Sequence, residues 1–532
     1  VEKAFYLTSP LYYVNAKPHI GSAYTTIVCD TIARFHKLMN KECVFLTGVD
    51  EHGGKIEESA KKNKISPKEH CDSITQKFKS LWNALEIKYD FFARTSSKNH
   101  EKVVEAFFLL IKKNSDIYQG SYHGLYCLAC EDFKNKRELI EGKYCPIHKT
   151  TAVKEYSEKN YFFRLSKYTE KILKLIEETD LIQPSYRKRE VLFWIKEGLK
   201  DFPISRNSVS WGVKVPGDPQ QTIYVWFDAL IGYLTPIVEF LYKKNFNCSL
   251  DGVEKIDPKI LRDLIESSEI LPANVHVIGK DILRFHAVYW TGMLLSAGFR
   301  TPKKIFGHGF ITKDGEKMGK TLGNTVCPEE LINKFGRDAT RFYFLFVINF
   351  GQDGDFSEKN FIEISNSFLA NKIGNLFSRV IKLIKKNFDS ELPLVEIDFE
   401  QSEILKQTSE LPEFVKKDFE NLEISSALKR IFDLVEILNI NLTEKRPWNL
   451  LKSKDSLSQK MAIVCLRETM ESLRIISCLL YPFIPSLSKK MLSVFSLKEP
   501  SLWEDLGNFK FLEQNPKIKD PGILFNRFEN RV

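Results

Sequence analysis

Pro18-His19-Ile20-Gly21-Ser22 follows a run of strand-forming residues and opens a run with helical spacing. A helix N-terminus offers free N–H groups and the positive end of a dipole, so it suits a phosphate. His19 can donate to a phosphate oxygen, Gly21 lets a ligand approach the backbone, and Ser22 can add a hydroxyl. Taken alone, such a segment is more often a helix start with an incidental histidine. About 300 residues further on stands Asp314-Gly315-Glu316-Lys317-Met318-Gly319-Lys320-Thr321. Ammonium groups on a loop can close over a triphosphate and neutralise the charge of leaving pyrophosphate. Alone, this segment reads as a solvated basic turn.

A second chemistry lies between the two. Cys127 and Cys130 are followed, after fourteen residues, by Cys145 and His148. Three thiolates and one imidazole on two short knuckles make a closed tetrahedral set for Zn²⁺, a structural site with no open position for catalysis. Free thiols are the competing reading.

The two phosphate motifs resemble the HIGH and KMSKS signatures of the class I aminoacyl-tRNA synthetases. Ser22 stands where that family has its second histidine, and Gly319 and Thr321 replace its two serines; Lys317 and Lys320 match. Four further segments resemble the methionine-specific branch. They are Thr8-Ser9-Pro10-Leu11-Tyr12-Tyr13, Gly48-Val49-Asp50-Glu51-His52-Gly53, the run from Tyr224 to Tyr233, and the run from His276 to His286. The resemblance implies that His19, Gly21, Gly279, Asp281, Lys317 and Lys320 bind ATP, with His19, Ser22, Lys317 and Lys320 serving catalysis. It implies that Asp50 holds the ammonium of L-methionine. Leu11, Tyr13, Trp226, Ala229, Leu230, Tyr233, Ile282 and His286 then surround the side chain. A thioether packs well on aromatic rings, so this choice of residues is chemically apt. Leu230 replaces the family's usual proline. Mg²⁺ is implied with ATP, though no residue identifies its ligands, and the zinc knuckle also recurs in the family's insert.

The elements that must position these residues are legible in outline. Phe5 to Thr8 and Val44 to Thr47 read as strands around a helix at Ala23 to Met39, a βαβ unit of a parallel sheet. The expected fold is α/β. A Rossmann-type parallel-sheet catalytic domain occupies 1–115 and 226–305, and a connective domain with the zinc knuckle is inserted at 116–225. Residues 306–360 link to a C-terminal α-helical bundle at 361–532, with a stripe through Phe368, Ile373, Leu376, Val380, Leu383 and Ile384. In that bundle Asn375 and Arg379 share one helix face, and Trp448 follows Pro447. Amide, guanidinium and indole can read unstacked bases, although a capped helix and a buried Trp are the plainer reading. The resemblance makes these three the anticodon readers of tRNA(Met), initiator and elongator.

The net charge of +9 is compatible with a polyanionic partner. Ten cysteines are too few for a disulfide scaffold and point to a reducing compartment, so a cytoplasmic location is expected, with an organellar form left open. No apolar run reaches the ~20 residues of a membrane span, the start lacks the layout of a signal peptide, and a monomer is expected. Three rivals stay open: another class I synthetase, a small nucleotidyltransferase with the same ATP motifs, and a non-catalytic tRNA-binding relative. The insert is short for a large editing domain, and the helical tail argues against a nucleotidyltransferase.

Overall fold

Cys43–Asp50 is buried along its whole length, as a parallel strand covered on both faces must be. It is one of six strands of the main sheet in the computed structural model, which describes residues 4–127, 132–134, 136, 139–146, 152–318, 324–501, 503–509, 512 and 517–529. These strands are β1 (Phe5–Tyr13), β2 (Cys43–Asp50), β3 (Phe91–Arg94), β4 (Ile182–Gln183), β5 (Val275–Gly279) and β6 (Lys304–His308), in the order β3-β2-β1-β5-β6-β4. Every neighbouring pair is parallel. Gly48 permits a close approach of β2 to β3: a Cβ there would stand 2.3 Å from the Ala93 carbonyl oxygen. The chain moves outward from β1 on one side through β2 and β3, and on the other through β5 and β6. The reversal of strand order at β1 and β5 opens the crevice where such sheets take ligands, beyond the carboxyl ends of the strands.

The chain divides into two compact units. The first comprises residues 1–18, 43–82 and 88–308; the second comprises 19–42, 83–87 and 309–532. In the first unit, the parallel sheet is joined by an antiparallel sheet in which Ile117–Cys127 pairs with Lys154–Phe163 from Ile117↔Phe163 to Tyr126↔Lys154. The segment expected to be wholly inserted thus also returns to the main sheet, because Ile182 pairs with Ile305 on its edge. Two residues are too short a strand to leave a periodic signal.

The second unit holds α1 (Ile20–Leu38), the helix that follows β1 in sequence. Asp30 of α1 is fully buried between Arg34 at 2.8 Å and Arg341 at 2.7 Å. Arg341 is itself fully buried and donates to the carbonyls of Phe483 and Pro482. Removing either partner would leave an uncompensated buried charge, so this cluster fixes α1 within the unit. The stripe read from the sequence is largely real: Ile373, Leu376, Val380 and Ile384 are buried, on a helix that continues through Asn375–Phe388. Ile424–Lys445 and Ser456–Leu480 are long helices beside it in sequence. Among the described residues, no single helix is long and apolar enough to cross a membrane.

Candidate functional site

The carboxyl ends of β1, β2 and β5 carry Leu11, Tyr13, Asp50, Gly279 and Asp281, a part of the residues that the sequence singles out in the first unit. Tyr13 and Asp50 are register partners at the ends of β1 and β2. A register shift between Thr8 and Leu11 marks where Pro10 interrupts the ladder, since proline donates no hydrogen bond. Leu11 then lies against Gly232: a Cβ on that glycine would come within 2.3 Å of its Cδ1. At the end of β5, Asp281 folds back over Gly279, where a Cβ would stand 2.5 Å from its Oδ1.

Behind these ends is an aromatic and imidazole cluster. Tyr233 and His286 meet at 2.7 Å through Oη and Nε2, while His286 Nδ1 lies 2.9 Å from the Ile282 carbonyl oxygen. A carbonyl only accepts, so Nδ1 carries the proton and Tyr233 donates to Nε2. The same logic applies to His276. Trp290 Nε1, a donor only, points at its Nε2 from 3.3 Å, so Nδ1 donates to Thr8 Oγ1 at 2.6 Å. Burial lowers the pKa of His286 to about 4 and pushes that of His276 well below its ordinary value, so both rings are neutral near pH 7. Trp226 is half-buried and stacks on Phe285 with ring centres 3.8 Å apart, and it meets His286 edge-on with ring centres 6.5 Å apart. Tyr233, Trp226 and His286 therefore form an uncharged, polarizable cluster, of a kind suited to a neutral apolar or thioether group. Asp50, near-buried at the end of β2, supplies a carboxylate suited to an ammonium group.

In the second unit, His19 is the N-cap of α1. Its Nδ1 accepts from the Gly21 N–H at 3.1 Å, which leaves the ring proton on Nε2, the nitrogen that can donate to a phosphate. The imidazole lies so close over Gly21 that a Cβ there would sit 2.9 Å from its Cε1. Ser22 completes a capping box: its Oγ accepts from His19 N at 3.1 Å and donates to His19 O at 2.7 Å. The hydroxyl expected to meet phosphate is thus engaged in holding the helix start, and Ser22 is buried. Lys317 ends a short strand, Glu316–Lys317; Lys320, Gly319 and Thr321 lie outside the described residues. Asn375 is exposed, and the Arg379 guanidinium stands 5.2 Å from the centre of the half-buried Trp448 ring. Trp448 is partly buried, on the short turn Pro447–Leu450.

Cys127 and Cys145 are both fully buried, and neither is in a disulfide. Cys127 ends its strand, and Cys145 follows Tyr144, which bridges to Ile140 and Ala152. Cys130 and His148 lie outside the described residues. One cluster escaped the sequence reading. Asp228 is fully buried between His52 at 2.6 Å and His100 at 2.8 Å. Its signal was an acidic residue inside the apolar run Trp226-Phe227-Asp228-Ala229.

Comparison with known proteins places this arrangement. The family model described as tRNA synthetases class I (M) matches residues 5–155 and 144–381, and that of the anticodon binding domain of methionyl tRNA ligase matches 397–531. The chloroplastic/mitochondrial methionine–tRNA ligase of Arabidopsis thaliana is 46% identical over 94% of this chain and 80% of its own length. The methionine–tRNA ligase of Synechocystis is 45% identical over 92% of this chain and 88% of its own. The chain belongs to the methionyl-tRNA synthetase family. Among solved structures, the Mycobacterium tuberculosis methionyl-tRNA synthetase in complex with methionyl-adenylate is 34% identical, with a TM-score of 0.89 over 99% of this chain and 100% of that one. The synthetase match reaches residue 381 and so takes in Asn375 and Arg379, while the anticodon-domain match takes in Trp448. Membership in the methionyl-tRNA synthetase family thus rests on both compact units and disposes of the other class I specificities.

Proposed function

We infer that this chain activates L-methionine with ATP and esterifies it to the 3′ end of tRNA(Met). A methionine carboxylate oxygen attacks the α-phosphorus, the bond to the β-phosphate breaks, and pyrophosphate leaves. The terminal ribose hydroxyl of tRNA then attacks the activated carbonyl and AMP leaves. The observation that carries this reading is the likeness, across nearly the whole chain, to a synthetase solved with methionyl-adenylate. Asp50 holds the ammonium group, and Trp226, Tyr233 and His286, with Leu11, Tyr13, Ala229, Leu230 and Ile282, enclose the thioether. His19, Gly21, Gly279 and Asp281 meet the nucleotide. Lys317 and Lys320 neutralise the leaving pyrophosphate, and Mg²⁺ accompanies the phosphates. No protein nucleophile is needed; positioning and fixed charge lower the barrier. ATP–pyrophosphate exchange, run with each amino acid in turn, is expected to respond to methionine alone. Exchange driven by leucine, isoleucine, valine or cysteine instead, or by none, would refute it.

Two buried thiols at a strand end and beside a tight bridge fit a structural zinc knuckle, completed by Cys130 and His148. Zinc there would tie the tip of the long hairpin and take no part in bond breaking. Elemental analysis of protein purified without added metal is expected to find one zinc per chain. Cys130→Ala is expected to lose it and impair aminoacylation. A chain free of metal, or loaded with another one, would refute the assignment.

A further inference from the structure

The short helix Val225–Ile231 presents Trp226, Ala229 and Leu230 as candidate walls of the methionine pocket, yet it also carries Asp228, which is fully buried. A carboxylate in an apolar interior is costly unless each oxygen is matched. Here each is: Oδ2 takes His52 Nδ1 at 2.6 Å and Oδ1 takes His100 Nε2 at 2.8 Å. The three residues come from three segments. His52 stands two positions beyond Asp50 at the end of β2, and His100 lies on the helix Lys98–Lys113. The far nitrogen of His100 meets Thr235 Oγ1 at 2.8 Å, at the start of the helix that follows Tyr233. The His52 ring meets Trp211 edge-on at 5.5 Å, and the Trp211 indole donates to the Glu51 carbonyl. A connected set of directed bonds therefore runs from the wall helix to the strand end that bears Asp50.

Apolar side chains of similar volume would fill this space at no greater cost. What a carboxylate held by two imidazoles adds is direction, because its bonds fix the helix in rotation and along its axis. We propose that Asp228, acting through His52 and His100, is a positioning residue for methionine recognition. It sets the spacing between the wall at Trp226, Ala229 and Leu230 and the carboxylate of Asp50, and so sets which side-chain length the site accepts. Burial would raise the Asp228 pKa, but the two imidazoles hold it at about 2, so the carboxylate keeps its charge near neutral pH. None of the three touches ATP in this scheme, so the effect falls on the amino acid. The inference rests on the functional reading above.

The test is methionine-dependent ATP–pyrophosphate exchange by the full chain carrying Asp228→Asn, with melting temperature recorded. His100→Gln, which leaves the His52 contact intact, serves where Asp228→Asn fails to fold. Expected are a methionine KM raised about tenfold for Asp228→Asn and less for His100→Gln, with the ATP KM within about twofold. Discrimination against norleucine and ethionine should fall in both. Methionine KM and selectivity unchanged in a folded variant would overturn the inference. So would equal losses for methionine and ATP with a lowered melting temperature, the mark of general loosening. No methionine-dependent exchange in the unsubstituted chain would instead overturn the functional reading, and the inference with it.

Discussion

His19→Asn is expected to slow methionine-dependent ATP–pyrophosphate exchange by about a hundredfold or more, the scale of one lost transition-state donor, while leaving the melting temperature nearly unchanged. The structure shows the capping role of His19 directly, and that role decides which ring nitrogen is left for the proposed one. Its Nδ1 caps α1 by accepting from the Gly21 N–H, and that bond leaves the proton on Nε2. Asparagine is among the best N-caps, so its side-chain oxygen can replace Nδ1. Its amide N–H groups end one atom short of where Nε2 stands, so the donor to phosphate is lost. His19→Ala removes both functions, and the lost cap should cost about 1 kcal/mol of stability in addition. The rate loss should fall on kcat more than on the ATP KM, because the charge that Nε2 meets develops as pyrophosphate leaves. Exchange at full rate in His19→Asn would confine His19 to capping. A lowered melting temperature in His19→Asn as large as in His19→Ala would show that the cap was not replaced.

The sequence carried what is local and periodic. The helix expected at Ala23 to Met39 is Ile20–Leu38, and four of the six residues of the stripe from Phe368 to Ile384 are buried. The ends of β1, β2 and β5 were legible because motif residues cluster there. What escaped depends on partners distant in sequence. Asp228 meets His52 and His100 across 176 and 128 residues, and nothing in the run around Asp228 names either partner. The edge strand Ile182–Gln183 exists because β6 offers it a ladder. Ser22 was read as a phosphate partner from its place in the motif, but its third helical position makes the capping-box bond to His19 the nearest satisfaction for its hydroxyl. Likewise, nothing in the sequence around Asp30 of α1 names Arg341, its buried partner more than 300 residues away.

Trp448→Ala is expected to lower the efficiency of tRNA charging by tenfold or more, the scale of one lost base–aromatic stack at about 1–3 kcal/mol, and to leave ATP–pyrophosphate exchange intact. A buried tryptophan would behave differently, since its truncation costs about 3–5 kcal/mol of stability. Trp448 is half-buried on a single turn, Pro447–Leu450, that begins with proline, so its indole is placed by a rigid corner. Arg379 stands over that ring at 5.2 Å, and exposed Asn375 lies one turn away on the same helix face. A guanidinium against an indole is pre-organised: a base entering this face can stack on the ring and meet donors already in place. The anticodon of the methionine tRNAs is CAU, whose bases offer acceptors and donors at their edges to an amide and a guanidinium. Arg379→Ala should therefore weaken charging as well. The double variant should lose less than the two single losses combined, because the groups touch. Exchange needs no tRNA, so it reports on the catalytic residues alone. Charging retained in Trp448→Ala would remove the indole from tRNA reading, and charging, exchange and melting temperature lost together would return it to a structural role.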